Sequence, residues 1–243
     1  MKTTSLQIAL MGYGKMGKEI ETIALERGHT IALKINSSNS TSISKEELKK
    51  CDVVIEFSRP VSVLANINKC FEANVPVVVG TTGWYDELNT VKAKCNQLKG
   101  ALLYASNFSI GVNILFEMND RLAALMNNRT EYDVVIDEVH HIHKLDKPSG
   151  TGITLAEGII DNLERKKKWI TEEKTPSAGD LIIHSYRESE VVGKHTVRYT
   201  SAIDEIEIMH NAFSRKGFAQ GAVLAAEFIT GKKGVFTMSD VLK

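Results

Sequence analysis

Three of the chain's seven histidines fall in one short stretch, Glu138-Val139-His140-His141-Ile142-His143-Lys144. Imidazole titrates near neutrality, so a histidine at the tip of a strand can give or take a proton during a reaction. On the two-residue period of a strand, Val134, Ile136, Glu138 and His140 share one face, while Asp137 and His141 point the other way. Lys144 adds an ammonium group suited to holding a carboxylate. The stretch continues through Leu145-Asp146-Lys147-Pro148 into Ser149-Gly150-Thr151, which opens a predicted helix and offers backbone N–H groups to a second carboxylate. A proton donor, a cation and an anion-binding helix start on one glycine-containing loop suit the reduction of a small dicarboxylate. Two other readings stand beside this one. The first is a metal site on His141 and His143 completed by a carboxylate; the second is a set of surface polar residues without function. No cysteine or distant His–Glu pairing supports a metal, and none is expected. His184, His195 and His210, each alone on its predicted strand, read as structural residues. Arg165-Lys166-Lys167-Lys168 reads as the solvated, positive end of a helix.

A second group of residues lies near the N-terminus, where Gly12-Tyr13-Gly14-Lys15-Met16-Gly17 follows an apolar run and opens an amphipathic one. Gly12 permits a tight turn, Gly14 lets the backbone approach a pyrophosphate, and Gly17 lets helix and strand pack closely. The helix start then presents N–H groups and a positive dipole end to phosphates. At the end of the next strand the chain reads Lys34-Ile35-Asn36-Ser37-Ser38, with no carboxylate to hold a ribose or repel a 2′-phosphate. Lys15, Lys34 and the serines can accept such a phosphate, so NADPH and NADH both remain open; Asn36 reads equally as a cofactor contact or as the start of a solvated loop. Two further loops, Gly80-Thr81-Thr82-Gly83 and Ser106-Asn107-Phe108-Ser109, follow predicted strands and belong to the same crevice at the carboxyl ends of a sheet.

The elements that position these groups alternate. Leu6–Met11, Ile31–Ile35, Val53–Phe57, Val77–Val79 and Ala101–Tyr104 predict strands, with helices over Met16–Arg27, Val61–Ala73 and Tyr85–Leu98. Strands with few polar interruptions between helices indicate a parallel, doubly wound α/β sheet. Asn36–Ser44 is a Ser/Asn-rich surface loop. Beyond Ile110 the rhythm changes to a helix over Val112–Met126, a strand over Tyr132–His141, a helix over Ile153–Lys168, strands over Leu181–Glu188, His195–Ser201 and Glu205–His210, and a closing helix over Phe218–Thr230. The near-alternation of the three late strands predicts an antiparallel sheet with one wet face. The chain of 243 residues has 30 basic and 30 acidic side chains, so it lacks the surplus of a nucleic-acid binder. No run approaches the roughly 18 apolar residues of a membrane helix. Three scattered cysteines, Cys51, Cys70 and Cys95, suit a reducing compartment as small buried residues. With no signal-peptide pattern at the N-terminus, the expected location is the cytoplasm.

Along nearly its whole length the chain resembles the dihydrodipicolinate reductases (4-hydroxy-tetrahydrodipicolinate reductases). The resemblance is carried by Gly12–Gly17, Asp52–Ser58, Gly80–Gly83, Ser106–Asn113, Glu138–Thr151 and Ser214–Ala226, above all by His140-His141-Ile142-His143-Lys144 and Pro148-Ser149-Gly150-Thr151. It implies a Rossmann dinucleotide-binding domain over 1–108 with 214–243. The second, α+β domain covers 109–213, has a mixed or antiparallel sheet, binds substrate and builds a homotetramer. It implies a lysine-biosynthetic reductase that passes a hydride from NADPH or NADH to the cyclic dicarboxylate. In that reaction His140 is the proton donor and Lys144 assists catalysis and holds substrate, with His141, Gly150 and Thr151 at the substrate carboxylates. Gly12 to Gly17, Gly80 to Thr82 and Ala105 to Phe108 fall at cofactor contacts. The acidic residue that often ends the second strand is absent, which leaves the cofactor preference open. Other readings of the same residues are another NAD(P)-dependent dehydrogenase of a small acidic substrate, and a non-catalytic dinucleotide sensor.

Overall fold

The computed structural model describes residues 5–40, 42–171 and 175–243. The first four residues, and Thr41 within the expected surface loop, lie outside them. In chain order the elements are β1 (Gln7–Met11), α1 (Lys15–Glu26), β2 (Thr30–Ile35), α2 (Lys45–Leu48), β3 (Val53–Glu56), α3 (Pro60–Ala73), β4 (Val77–Val79), α4 (Leu88–Gln97), β5 (Ala101–Tyr104) and α5 (Ile110–Met126). They continue with β6 (Asp133–His140), α6 (Gly150–Asn162), β7 (Lys168–Thr171), β8 (Asp180–Arg187), β9 (Gly193–Thr200), β10 (Glu205–Ala212), α7 (Lys216–Ile229), β11 (Gly234–Phe236) and α8 (Met238–Val241). The chain divides into two compact units, one of residues 1–110 with 216–243 and the other of residues 111–215.

The first unit is built on a six-stranded sheet in the order β11-β5-β4-β3-β1-β2, parallel throughout. Alternate residues of its strands feed two cores, as expected for a sheet covered on both faces. Ile8, Leu10, Val53 and Ile55 pack with Ile20 and Ile23 of α1 and with Ala222 and Val223 of α7. Ala9, Met11, Val54 and Val79 pack with Val63, Ile67 and Phe71 of α3. Pro60 stands at the first turn of α3, and Gly28, with φ of 84°, follows the end of α1. Cys51, Cys70 and Cys95 are free and buried in the second of these cores. Reading from the sequence missed β11 and the short helices α2 and α8. At three residues β11 carries no periodicity, and its pairing with Ala101–Leu103 joins distant parts of the chain.

The second unit carries a five-stranded sheet in the order β10-β9-β6-β8-β7. Its inner face, with Val134, Ile136, Ile183, Val197 and Tyr199, packs on Leu155 and Ile159 of α6 and Leu115 of α5. The expectation of an antiparallel sheet for the late strands needs correction: β10, β9 and β6 are antiparallel, but β8 runs parallel to β6, and β7 parallel to β8. The predicted helix Ile153–Lys168 also ends early, at Asn162, and Lys168–Thr171 is a strand. Lys166 is accordingly no solvated helix end. Its ammonium is buried, donating to the Asp180 carbonyl at 2.7 Å and pairing with Asp133 at 2.8 Å. Among the described residues no helix is long and apolar enough to cross a membrane.

Candidate active site

The carboxyl ends of β1, β2 and β3 open onto a cleft of about 510 Å³ in the first unit. Gly12, Tyr13, Gly14, Asn36, Ser37 and Arg59 are among the residues that line it. Gly12 has φ of 95°, donates its N–H to the Ile35 carbonyl at 2.9 Å, and leaves no room for a side chain, since a Cβ would sit 1.9 Å from the Phe57 carbonyl oxygen. A Cβ on Gly14 would meet nothing within 4 Å, so the backbone there is open to a ligand. Gly14 also caps α1 without a side-chain hydrogen bond, and the first turn of that helix has no acidic residue. A Cβ on Gly17 would meet the Gly12 carbonyl oxygen at 2.3 Å. Tight turn, open approach and close packing therefore fall on the three glycines in that order. The arrangement fits a pyrophosphate on a helix N-terminus.

The remaining residues expected at the cofactor divide. Lys15, Met16 and Gly17 lie on α1 beyond the cleft lining. The Gly80–Thr82 loop leaves the end of β4, and the Thr81 hydroxyl accepts the Ser58 N–H at 2.8 Å. Ala105, Ser106 and Asn107 follow β5, with Asn107 accepting the Ser109 N–H at 2.8 Å. Phe108 offers its side chain to the core, 5.5 Å from the Phe57 ring, and its backbone oxygen to α7, where a Cβ on Gly221 would stand 1.7 Å away. Phe108 is thus a packing residue of this unit. Lys34, expected to be available for a 2′-phosphate, is instead paired with Glu21 at 2.6 Å. Asn36 shapes the loop after β2, accepting the N–H and hydroxyl of Ser38 at 2.8 and 2.6 Å.

In the second unit His140 ends β6 on the inner face with Glu138, as the strand period requires. The chain then turns, and Lys144 places its ammonium 2.8 Å from both carboxylate oxygens of Asp146. Arg187, at the end of β8, anchors this loop by donating to the backbone oxygens of Lys144 at 3.2 Å and Asp146 at 2.5 Å. Ser149 caps α6, its hydroxyl accepting the Gly152 N–H at 3.1 Å. Gly150 behind it faces open space, and Thr151 occupies the next position of the helix. Glu138 is wholly buried, and its two oxygens accept the Ser149 N–H at 3.0 Å while one also accepts the Ser149 hydroxyl. His141 is half-buried, its ring 6.1 Å from that of His143, and the more exposed His143 pairs with Glu190 at 3.4 Å.

His195, read from the sequence as a structural residue, has contacts that the sequence did not show. His195 on β9 lies beside the cluster, its Nε2 3.2 Å from the Ser149 hydroxyl and its ring 4.9 Å from that of His140, edge to face. Its position on a separate strand gave no sign of this; the buried, inward phase of β9, shared with Val197 and Tyr199, is the signal that could have found it. Glu138, visible as an acid on the His140 face, was likewise not given a role. Glu138, His140 and His195 bring ligand-type atoms within 4.8 Å of one another. Ser149 donates to Glu138 and meets His195 Nε2, while His140 touches His195 by ring contact.

Burial pushes both inner histidines toward the neutral form. His195 falls to about 3, chiefly by burial and then by the neighbouring His140. His140 also drops below its ordinary value, chiefly by burial, with the Glu138 charge opposing the shift and Lys144 and Arg187 adding to it. Because the folded state binds these protons less tightly than the unfolded chain, stability is lost as pH falls below the ordinary histidine value of about 6.5. The expected loss is up to about 1.4 kcal/mol per pH unit for each histidine. Denaturant melts between pH 7 and pH 5 measure it (about the window where unfolded histidines charge), and His195→Gln flattens the dependence. A slope unchanged by that substitution contradicts the assignment.

The residues of the chain match two family models, described as the N-terminus of dihydrodipicolinate reductase over residues 6–108 and its C-terminus over residues 111–242. A 4-hydroxy-tetrahydrodipicolinate reductase of Christiangramia forsetii is 46% identical over 239 residues, covering 98% of each chain. One from Neisseria meningitidis is 35% identical over 230 residues, covering 91% of this chain and 83% of the relative. In fold, the chain is similar to the dipicolinate-bound dihydrodipicolinate reductase from Paenisporosarcina sp. TG-14, with a TM-score of 0.80 at 23% identity, covering 96% of this chain and 98% of that one. The chain belongs to the dihydrodipicolinate reductase family.

Proposed function

We propose that the chain is the NAD(P)H-dependent reductase of lysine biosynthesis through diaminopimelate, converting 4-hydroxy-tetrahydrodipicolinate, by way of dihydrodipicolinate, to tetrahydrodipicolinate. The observation that carries the proposal is the pairing, in one family chain, of a phosphate cradle at Gly12–Gly17 with a buried imidazole, a loop ammonium and an open helix start at His140, Lys144 and Gly150. The reduced nicotinamide, when bound, supplies the hydride. Gly12, Tyr13 and Gly14 hold the pyrophosphate with backbone groups, and the loops at Gly80–Thr82 and Ala105–Asn107 border the ring and its ribose. With no carboxylate at the end of β2, and with Asn36, Ser37 and Arg59 on the cleft, a 2′-phosphate meets no carboxylate there, and the hydride donor is NADPH or NADH.

His140 gives the proton that accompanies the hydride onto the substrate ring, so that one hydride and one proton together saturate one double bond. Lys144 exchanges Asp146 for one substrate carboxylate, and His141 with the Gly150–Thr151 helix start receives the other. The same cationic groups offset charge that builds during transfer. The substrate assignment is supported by the dipicolinate held by the Paenisporosarcina relative. Action in the cytoplasm as a homotetramer, joined through the second sheet, belongs to the same reading. Its support is the exposed apolar side chains of Ile206 and Met209 on β10 and of Ile203 and Phe213 beside its ends.

Lys144→Ala tests the substrate clamp. Loss of a charge-assisted contact raises KM for the dicarboxylate about 10- to 100-fold while changing the cofactor's KM little. Steady-state constants equal to those of the parent protein contradict the role.

A further inference from the structure

Glu138 is wholly buried and His195 nearly so, yet both lie against the groups that the proposed reaction uses. The protons of this network are fixed by counting. The single hydroxyl proton of Ser149 goes to Glu138, because a carboxylate can only accept. The Ser149 oxygen then accepts from the Gly152 N–H at 3.1 Å and from His195 Nε2 at 3.2 Å. His195 is therefore the Nε2–H tautomer, leaving its Nδ1 a bare lone pair, and that atom is buried without a hydrogen-bond partner among the described residues. Gly152 makes room for the carboxylate, since a Cβ there would stand 2.7 Å from Glu138 Oε2. The His195 ring closes one side of His140, and Gly193, whose Cβ would be 3.2 Å from His140 Nε2, closes another.

We propose that Glu138, working through Ser149 and His195, is a positioning residue that holds the proton donor and the anion-binding start of α6 in one fixed relation. The inference rests on the reductase reading and deepens it. The groups facing His140 come from every neighbouring element: Glu138 on its own strand, Lys144 and Asp146 from the loop, Arg187 from β8 and His195 from β9. Glu138 and Asp146 favour the protonated ring, while Lys144 and Arg187 oppose it. Asp146 is itself matched by Lys144 at 2.8 Å, and Arg187 stands 3.7 Å from Glu138 with its other nitrogens on backbone oxygens. Glu138 is thus the carboxylate on the donor's own face of β6.

The test compares the parent protein with Glu138→Gln and Glu138→Asp, measuring kcat and KM across pH together with NADPH binding. In Glu138→Gln the size is kept but the charge is lost, and the amide can no longer accept on both sides from Ser149. Turnover falls about 10- to 100-fold through the misplaced donor. The alkaline limb of the kcat profile, where the donor loses its proton, moves down by about half to one pH unit. KM for the dicarboxylate rises while NADPH binding is unchanged. In Glu138→Asp the charge remains and the reach shortens, so the limb stays in place while KM rises. If the glutamine variant does not fold, the aspartate variant decides by its KM. An equal loss at every pH with the limb unmoved in Glu138→Gln, or parental kcat and KM in either variant, overturns the proposal. Absence of turnover in the parent protein would instead overturn the reductase reading, so the two failures are told apart.

Discussion

His140→Gln lowers kcat by about 100-fold or more and leaves the folded protein in place. The size of the effect follows from what general acid catalysis contributes, about 10² to 10⁴ in rate. Glutamine fills a similar volume and offers hydrogen bonds, but its amide does not release a proton at neutral pH. The side chain sits at the end of β6, packed by its own sheet against His195, so the exchange removes chemistry without removing a central packing element. The melting temperature accordingly shifts by no more than a few degrees, as expected for roughly 1 kcal/mol in a chain of this size. Steady-state turnover with either cofactor, beside a thermal melt, gives both numbers. Turnover equal to that of the parent protein would remove His140 from the reaction.

Gly12→Ala abolishes cofactor binding by a different route. The residue combines φ of 95° with a carbonyl oxygen 1.9 Å from where a Cβ would stand, and that oxygen belongs to the backbone of Phe57, beyond the end of β3. Phe57 cannot swing aside, because its N–H is held by the Met11 carbonyl at 2.7 Å. The turn must open or the β1–β3 pairing must yield, at a cost of about 3 kcal/mol, with cofactor affinity falling at least about 100-fold. Gly14→Ala separates the two effects. At Gly14 the backbone has φ of −90° and the space is empty, so the added methyl is tolerated by the fold and obstructs only the approach of a phosphate. Fluorescence titration with NADPH and thermal melts therefore give loss of both properties for Gly12→Ala and loss of binding alone for Gly14→Ala. Parental affinity in Gly12→Ala would disprove the cradle.

Much of this was legible in the residue order because the signals are local. Strands buried on both faces write continuous apolar runs such as Val53–Ile55, and the glycine turn needs only six residues to state its geometry. The two-residue period of β6 is enough to put Glu138 and His140 on one face. What escaped depends on distance along the chain or on direction. Alternation is the same for parallel and antiparallel neighbours, so the parallel register of β8 on β6 could not be read. The basic run Arg165–Lys168 looked solvated, because the Asp133 that pairs with Lys166 and the Asp180 carbonyl that receives it lie in other strands. His195 reaches Ser149 across 46 positions, and Phe108 turned out to be needed for packing against Gly221 of the last long helix. In the polar loop Ser106–Ser109 the one apolar residue, Phe108, is fixed by a core built from distant parts of the chain.

An absorbance assay at the reduced-nicotinamide band is the most direct measurement, run with NADPH and with NADH on freshly generated dihydrodipicolinate and, separately, on simple keto acids. Rapid loss of absorbance that requires the cyclic dicarboxylate, with either nucleotide, is the predicted result. Nucleotide binding without any oxidation, or oxidation that proceeds with keto acids and not with the dicarboxylate, would contradict it.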